Sequence, residues 1–85
     1  MITTENFTRV NNDVNGNPRY VIHFLDVIND TEYYEQTDVT TRFNFALNKM
    51  RQFGGQKFRG KQYGGMIVFS EYNLQTLVNN INETL

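Results

Sequence analysis

The sequence contains no cysteine and no tryptophan, and it has one proline and one histidine in 85 residues. Without cysteine the chain cannot form a disulfide, present a thiolate nucleophile or build a cysteine-based zinc site. This composition suits a reducing compartment, so we expect a cytoplasmic protein. No apolar run approaches the roughly 18 residues that a membrane helix needs, and the N-terminus has no apolar signal segment. We therefore expect no association with membranes.

Histidine and the acidic residues give little support for catalysis or metal binding. His23 lies in an apolar stretch, where a lone histidine is usually packed and hydrogen-bonded. The acidic segment lacks the central glycine of a calcium-binding loop, and the scattered carboxylates do not form a transition-metal site. We expect a protein that is not an enzyme and has no metal, no cofactor and no catalytic residue.

The chain length predicts a single domain over residues 1–85. The formal net charge is −1, but the charges are separated along the chain. A middle segment of thirteen residues has only acids among its charges, namely Asp26, Asp30, Glu32, Glu35 and Asp38. The segment after it has only cations, namely Arg42, Lys49, Arg51, Lys57, Arg59 and Lys61. Such blocks create local fields even when the net charge is near zero.

Turn signals and apolar periodicity predict the secondary structure. Asn15-Gly16 predicts a type I′ hairpin turn between strands over Phe7–Val14 and Arg19–Val27. Both faces of the second strand are largely apolar, which indicates a central strand covered at least partly on both sides. Gly64-Gly65 predicts a second hairpin turn, between strands over Lys57–Tyr63 and Met66–Phe69.

Two amphipathic helices are predicted beside these hairpins. Thr37 or Asp38 can cap a helix that runs to Phe53 and ends at Gly54-Gly55. Its predicted buried stripe consists of Val39, Phe43, Ala46, Leu47, Met50 and Phe53. Ser70 or Asn73 can cap the last helix, with Leu74, Leu77, Val78 and Ile81 on one face. The order ββαββα predicts a small α+β domain, in which an antiparallel sheet carries both helices on one face.

The basic stretch after the first helix has part of a phosphate-binding loop pattern. Residues 55–61 satisfy G-x-x-x-x-G-K, but the next residue is Gln62, where a P-loop needs serine or threonine to bind magnesium. A P-loop also follows a strand and opens a helix, whereas this stretch follows a helix and opens a strand. The sequence therefore does not predict a nucleotide-binding loop.

A cationic strand is the better interpretation of the same stretch. Alternation along a strand puts Lys57, Arg59, Lys61 and Tyr63 on one face, while Phe58 faces the core. Successive members of that face are roughly 6.5–7 Å apart, which is comparable to the phosphate spacing of an extended single strand. The cations therefore predict contacts with a nucleic-acid backbone, and Tyr63 predicts a stacked base.

Two more cations extend this predicted site, and one alternative to it stays open. Lys49 and Arg51, at the end of the first helix, can assist the strand in binding nucleic acid. The alternative is an edge strand whose charges only prevent aggregation.

Three stretches of the chain resemble a pattern in small phage and mobile-element proteins. They are NGNPRY at residues 15–20, VIHF at residues 21–24 and GGQKFRGKQYGG at residues 54–65, followed by Tyr72-Asn73. The resemblance implies an accessory role, on nucleic acid or against a host protein, and it implies no established activity.

A different class of function rests on the acidic segment. Tyr33 and Tyr34 lie between Glu32 and Glu35, and tyrosine is enriched at protein interfaces. Phe45 falls on the polar face of the first helix, where it is either exposed or covered by the two tyrosines. These residues predict an inhibitor that contacts a host defence or replication protein. A structural or self-assembling accessory protein is a third possibility, and the sequence indicates no oligomeric state.

Overall fold

The computed structural model describes residues 1–27, 38–59 and 64–85. Its elements are β1 (Phe7–Val10), β2 (Arg19–His23), α1 (Val39–Arg51), β3 (Gln56–Lys57), β4 (Met66–Ser70) and α2 (Leu74–Thr84). Short 3-10 helices cover Thr4–Asn6 and Phe24–Asp26. The predicted α+β class and the order ββαββα are confirmed, although β1 and β2 end earlier than predicted.

The four strands form one antiparallel sheet with the order β1-β2-β4-β3. Phe7 is paired with Ile22, and Ile22 with Ile67, so these three side chains share a face. Val21 points to the opposite face, yet both Val21 and Ile22 are buried. The prediction that the second strand is central and at least partly covered on both sides is confirmed.

Both helices pack on the face that carries Ile22 and Ile67. Their buried side chains join one apolar cluster with the sheet, Ala46, Leu47 and Met50 from α1 and Leu77, Val78 and Ile81 from α2. Phe43 and Phe53 are partly buried against this cluster, as their spacing predicts. Val39 is 58% exposed, so its predicted burial is wrong. The reason is that α1 reaches the core mainly through its C-terminal half.

Side-chain caps start both helices at predicted positions. The Asp38 carboxylate accepts a hydrogen bond from the Thr41 backbone N–H at 2.7 Å. This bond holds the pKa of Asp38 below its usual value of 3.8. The Asn73 side chain accepts from the Thr76 N–H at 3.1 Å in the same way. Each bond satisfies one of the backbone donors that a helix leaves unpaired at its start.

The first hairpin forms, but its turn is not the predicted type I′ turn. That turn needs positive φ at two successive residues, and in the described part of the chain only glycines have positive φ. Gly16 has φ +82° and donates its N–H to the Asp13 carbonyl at 3.0 Å, while the Asp13 N–H donates to the Asn17 carbonyl. These contacts match a three-residue loop, in which a type I turn is followed by a left-handed glycine.

The carboxylate of Asp13 explains why this turn is preferred. It accepts hydrogen bonds from the backbone N–H groups of Asn15 and Asn17, at 2.9 and 2.8 Å. The bond from Asn17 is the main cause that lowers the pKa of Asp13. The carboxylate thus satisfies the Asn15 and Asn17 N–H groups in the three-residue loop, which stabilises this loop relative to a type I′ turn.

Replacement of Gly16 by valine should lower the free energy of unfolding by more than about 1 kcal/mol, because a β-branched residue resists positive φ. Nothing lies within 4 Å of an added Cβ, so the cost is conformational and not steric. Gly16→Asn is the matched control and should cost less, since asparagine tolerates the left-handed region. Urea unfolding measures both variants, and equal stability of Gly16→Val and wild type would contradict this turn.

The register of the second hairpin differs from the prediction. Lys57 is paired with Ile67, whereas a two-residue turn at Gly64-Gly65 would place Lys57 beyond the end of β4. The predicted turn is therefore wrong, and the observed register leaves a longer connection. The end of α1 sets where β3 begins, because Gly55 packs closely against Met50 and Ile67 directly before the strand.

Candidate functional site

A cationic cleft lies where the end of α1 meets the edge strand β3. It has a volume of about 460 Å³. Its lining combines three cations with the glycine pair and one amide, namely Arg51, Gly54, Gly55, Gln56, Lys57 and Arg59. We call this surface the cationic cleft.

The helix end determines the shape of the cationic cleft. Gly54 has φ +88° and donates its N–H to the Arg51 carbonyl, while the Gly55 N–H donates to the Met50 carbonyl. These two bonds form a Schellman motif, which needs a residue in the left-handed conformation. The chain therefore turns from the last turn of α1 directly into β3, and Arg51 comes to lie beside Lys57.

The charges that the described residues bring to the cationic cleft are accessible and have one sign. Arg51, Lys57 and Arg59 are all exposed. None of the three forms an ion pair or a side-chain hydrogen bond with any residue in 1–27, 38–59 or 64–85. Three cations at one concave surface favour an anionic partner with several charges, because their potentials add.

The cleft contains only some of the predicted nucleic-acid contacts. Lys57, Arg59 and Arg51 line it together, although β3 itself ends at Lys57. Lys49 lies elsewhere, with its ammonium 5.1 Å from the centroid of the Phe45 ring. The separation follows from the helix, in which residues two apart point to nearly opposite sides. Lys61 and Tyr63 are outside the described residues.

Of the residues predicted to contact a protein, only Phe45 is described. Its side chain is 42% exposed on α1, next to the Lys49 ammonium. The other four residues of that prediction are outside the described residues, namely Glu32, Tyr33, Tyr34 and Glu35.

Phe58 lies on the opposite side of the sheet from its predicted place in the core. Its N–H donates to the Met66 carbonyl at 3.1 Å, which continues the pairing of Lys57 with Ile67 by one residue. Alternation then directs Phe58 away from Ile67 and from both helices. The face assignment is wrong because Lys57 is paired with Ile67 and so lies on the helix side, where its side chain is nevertheless exposed.

Arg19 is a candidate contact residue that the sequence interpretation missed. Its guanidinium lies over the Phe58 ring, 5.5 Å from the centroid, and its Nε donates to the Asn11 carbonyl at 2.7 Å. Alternation with the buried Ile22 would have placed Arg19 on this face. Its contact with Phe58 needs the strand order β2-β4-β3, which the sequence does not contain.

A second cavity, of about 300 Å³, lies between the chain ends and α1. Asp26 and Lys49 both line it, together with apolar side chains. The Asn82 amide holds this region together, since it accepts from the Ile2 N–H and donates to the Ile2 carbonyl. Charges of both signs give this cavity no preference for a polyanion.

Residues 1–27, 38–59 and 64–85 contain neither a metal-binding cluster nor a membrane-spanning helix. No group of three or more histidine, aspartate or glutamate side chains there could hold a metal ion. No helix in those ranges has both the length and the apolar character to cross a membrane.

Comparison with known proteins gives one match. The family model described as Staphylococcus phage terminal repeat-encoded protein TreK matches residues 1–85. Among the curated proteins and the solved structures, no match is found.

Proposed function

The chain belongs to the Staphylococcus phage terminal repeat-encoded protein TreK family, and on that premise we propose that it is a non-enzymatic protein that binds nucleic acid. The expected location is the cytoplasm, where phage and host nucleic acids are both present. The observation that carries the proposal is the convergence of Arg51, Lys57 and Arg59 in the cationic cleft.

Phosphate groups are the ligands that this cleft suits. Phosphates carry charge at regular intervals, and arginine and lysine contacts to them release condensed counterions. The arginine guanidinium can donate two parallel hydrogen bonds to a phosphate, and the lysine ammonium acts as a point charge. The described lining of the cleft has no carboxylate, imidazole or thiol, which are common groups in acid–base and nucleophilic catalysis, and no second group that could act with Lys57 as an acid–base pair. Binding without chemistry is therefore the function that the cleft supports best.

Salt-dependent binding tests this proposal. Each of Arg51→Ala, Lys57→Ala and Arg59→Ala should lower affinity about equally for all base sequences, because phosphates carry no base information. Each should also reduce the slope of log affinity against log salt, by roughly 0.7 for single strands and 0.9 for duplex. Fluorescence anisotropy with labelled oligonucleotides at several salt concentrations measures both quantities.

Lys49→Ala is the matched control, because Lys49 lies outside the cleft. It should leave the slope unchanged. Absence of wild-type binding below about 100 µM at about 50 mM salt, which is weaker than typical non-specific binding, would reject the proposal.

The second candidate is an inhibitor that acts by contact with a host protein. Membership of a phage family is compatible with it, and the exposed ring of Phe45 beside Lys49 is the observation that favours it. Under this alternative, Phe45→Ser should abolish partner binding, while the three cleft variants should not affect it. A structural or self-assembling accessory role is the third candidate, and no described contact supports it specifically.

A further inference from the structure

The edge strand β3 presents different chemistry on its two sides. Lys57 and Arg59 line the cationic cleft on the side of the helices. Phe58, between them in the chain, points to the other face, where the Arg19 guanidinium covers its ring. A phosphate-binding surface and a planar cation–aromatic pair are thus separated only by the thickness of one strand.

The Arg19–Phe58 pair spans the open face of the sheet diagonally. The central pair of that face is Val21 with Val68, and Gln56 is the β3 partner of Val68. Arg19 precedes Val21 by two residues and Phe58 follows Gln56 by two, so their contact crosses above the two valines. Val21 is accordingly only 1% exposed, although neither α1 nor α2 covers this face.

The guanidinium is held in place for this contact. Its Nε donates to the Asn11 carbonyl at 2.7 Å, and the Phe58 ring supports it from below. Both residues are half-buried, so the pair keeps a surface toward solvent. A nucleobase can stack on an arginine plane or on an aromatic ring, at roughly 1–3 kcal/mol per base.

We propose that the nucleic acid bound by this protein is single-stranded, with phosphates on the cationic cleft and a base stacked on the Arg19–Phe58 pair across the edge of the sheet. The inference rests on the proposed function, since it needs the cleft to bind phosphates. A duplex cannot meet both surfaces, because its bases are paired and stacked inside the helix. Extruding one base costs a few kcal/mol, whereas a single strand offers its bases without that cost.

Paired variants of the stack test the inference. Phe58→Leu keeps an apolar side chain and removes the aromatic ring, and Arg19→Lys keeps the charge and removes the planar group. Each variant should weaken the binding of a labelled single-stranded oligothymidylate by about 5- to 150-fold. Phe58→Leu should leave the slope of log affinity against log salt unchanged, because it removes no charge. The wild-type protein should bind a blunt duplex more weakly than the single strand, and Phe58→Leu should not change the affinity for the duplex.

Phe45→Leu is the matched control, because it makes the same change on α1, outside the cleft. Circular dichroism verifies that each variant is folded. If Phe58→Leu is not folded, Arg19→Lys tests the stack on its own. Equal binding of single strand and duplex, with neither stack variant changing the affinity, would overturn the single-strand inference. The proposed function would survive that result if the three cleft variants still reduced the salt slope. Absence of wild-type binding to both oligonucleotides would overturn both.

Discussion

Phe69→Ala should lower the free energy of unfolding by about 3–5 kcal/mol, which is much of the stability of a small domain. Phe69 is 1% exposed on β4 and lies in the cluster that joins the sheet to both helices. Its ring meets the Phe7 ring edge to face, with 5.9 Å between centroids. Alanine removes the whole ring and leaves a cavity that the surrounding strands cannot close.

Phe45→Ala is the matched control for this substitution. It deletes the same atoms from a side chain that is 42% exposed on α1, so the expected cost is about 1 kcal/mol or less, including the contact with Lys49. Urea unfolding followed by circular dichroism measures both variants. If Phe69→Ala and Phe45→Ala lowered the free energy of unfolding by similar amounts, Phe69 would not be more buried than Phe45.

The parts of the fold that local signals determine could be predicted from the sequence. Asp38 and Asn73 cap their helices through bonds to residues three positions ahead. The stripe of Leu77, Val78 and Ile81 follows from the helical period alone. Gly54 ends α1 because only a residue that tolerates positive φ completes the Schellman motif.

Features that depend on distant partners could not be predicted. The turn type at Gly16 is a different case, because its cause is local: the Asp13 carboxylate satisfies the donors of a three-residue loop and so overrides the type I′ signal of Asn15-Gly16. The side to which Phe58 points depends on the pairing of Lys57 with Ile67. A shift of one residue in that register would exchange the two faces of β3. The close packing of Gly55 against Met50 and Ile67, a contact between distant parts of the chain, sets where the strand begins.

The candidate site likewise combines residues that the sequence predicts with one that it does not. Lys57, Arg59 and Arg51 are close in sequence, and the helix end brings them together. Sequence proximity groups Lys49 with them, although the 100° rotation per residue of a helix separates it from Arg51. Arg19 belongs to a remote hairpin, and it meets Phe58 only because β4 lies between their strands.

Gly55→Ala should lower the free energy of unfolding by about 1–3 kcal/mol or more, because the added methyl group has no space. A Cβ at Gly55 would lie 2.9 Å from both the Met50 Cβ and the Met50 carbonyl oxygen, and 3.0 Å from the Ile67 Cγ2. Met50 and Ile67 are fully buried, so neither can move without disturbing the core. The Gly55 N–H also donates to the Met50 carbonyl in the Schellman motif, so the backbone at Gly55 cannot move away from Met50 without losing that hydrogen bond.

Gly64→Ala is the matched control, since nothing lies within 4 Å of a Cβ there and its φ is not positive. It should be nearly neutral in the same urea titration. Gly55 also joins α1 to β3, so relaxation of the clash would change the position of Lys57 relative to Arg51. If the cationic cleft binds nucleic acid as proposed, the folded fraction of Gly55→Ala should therefore bind oligonucleotides more weakly than wild type. Wild-type stability of Gly55→Ala would contradict the close packing of β3 against the end of α1.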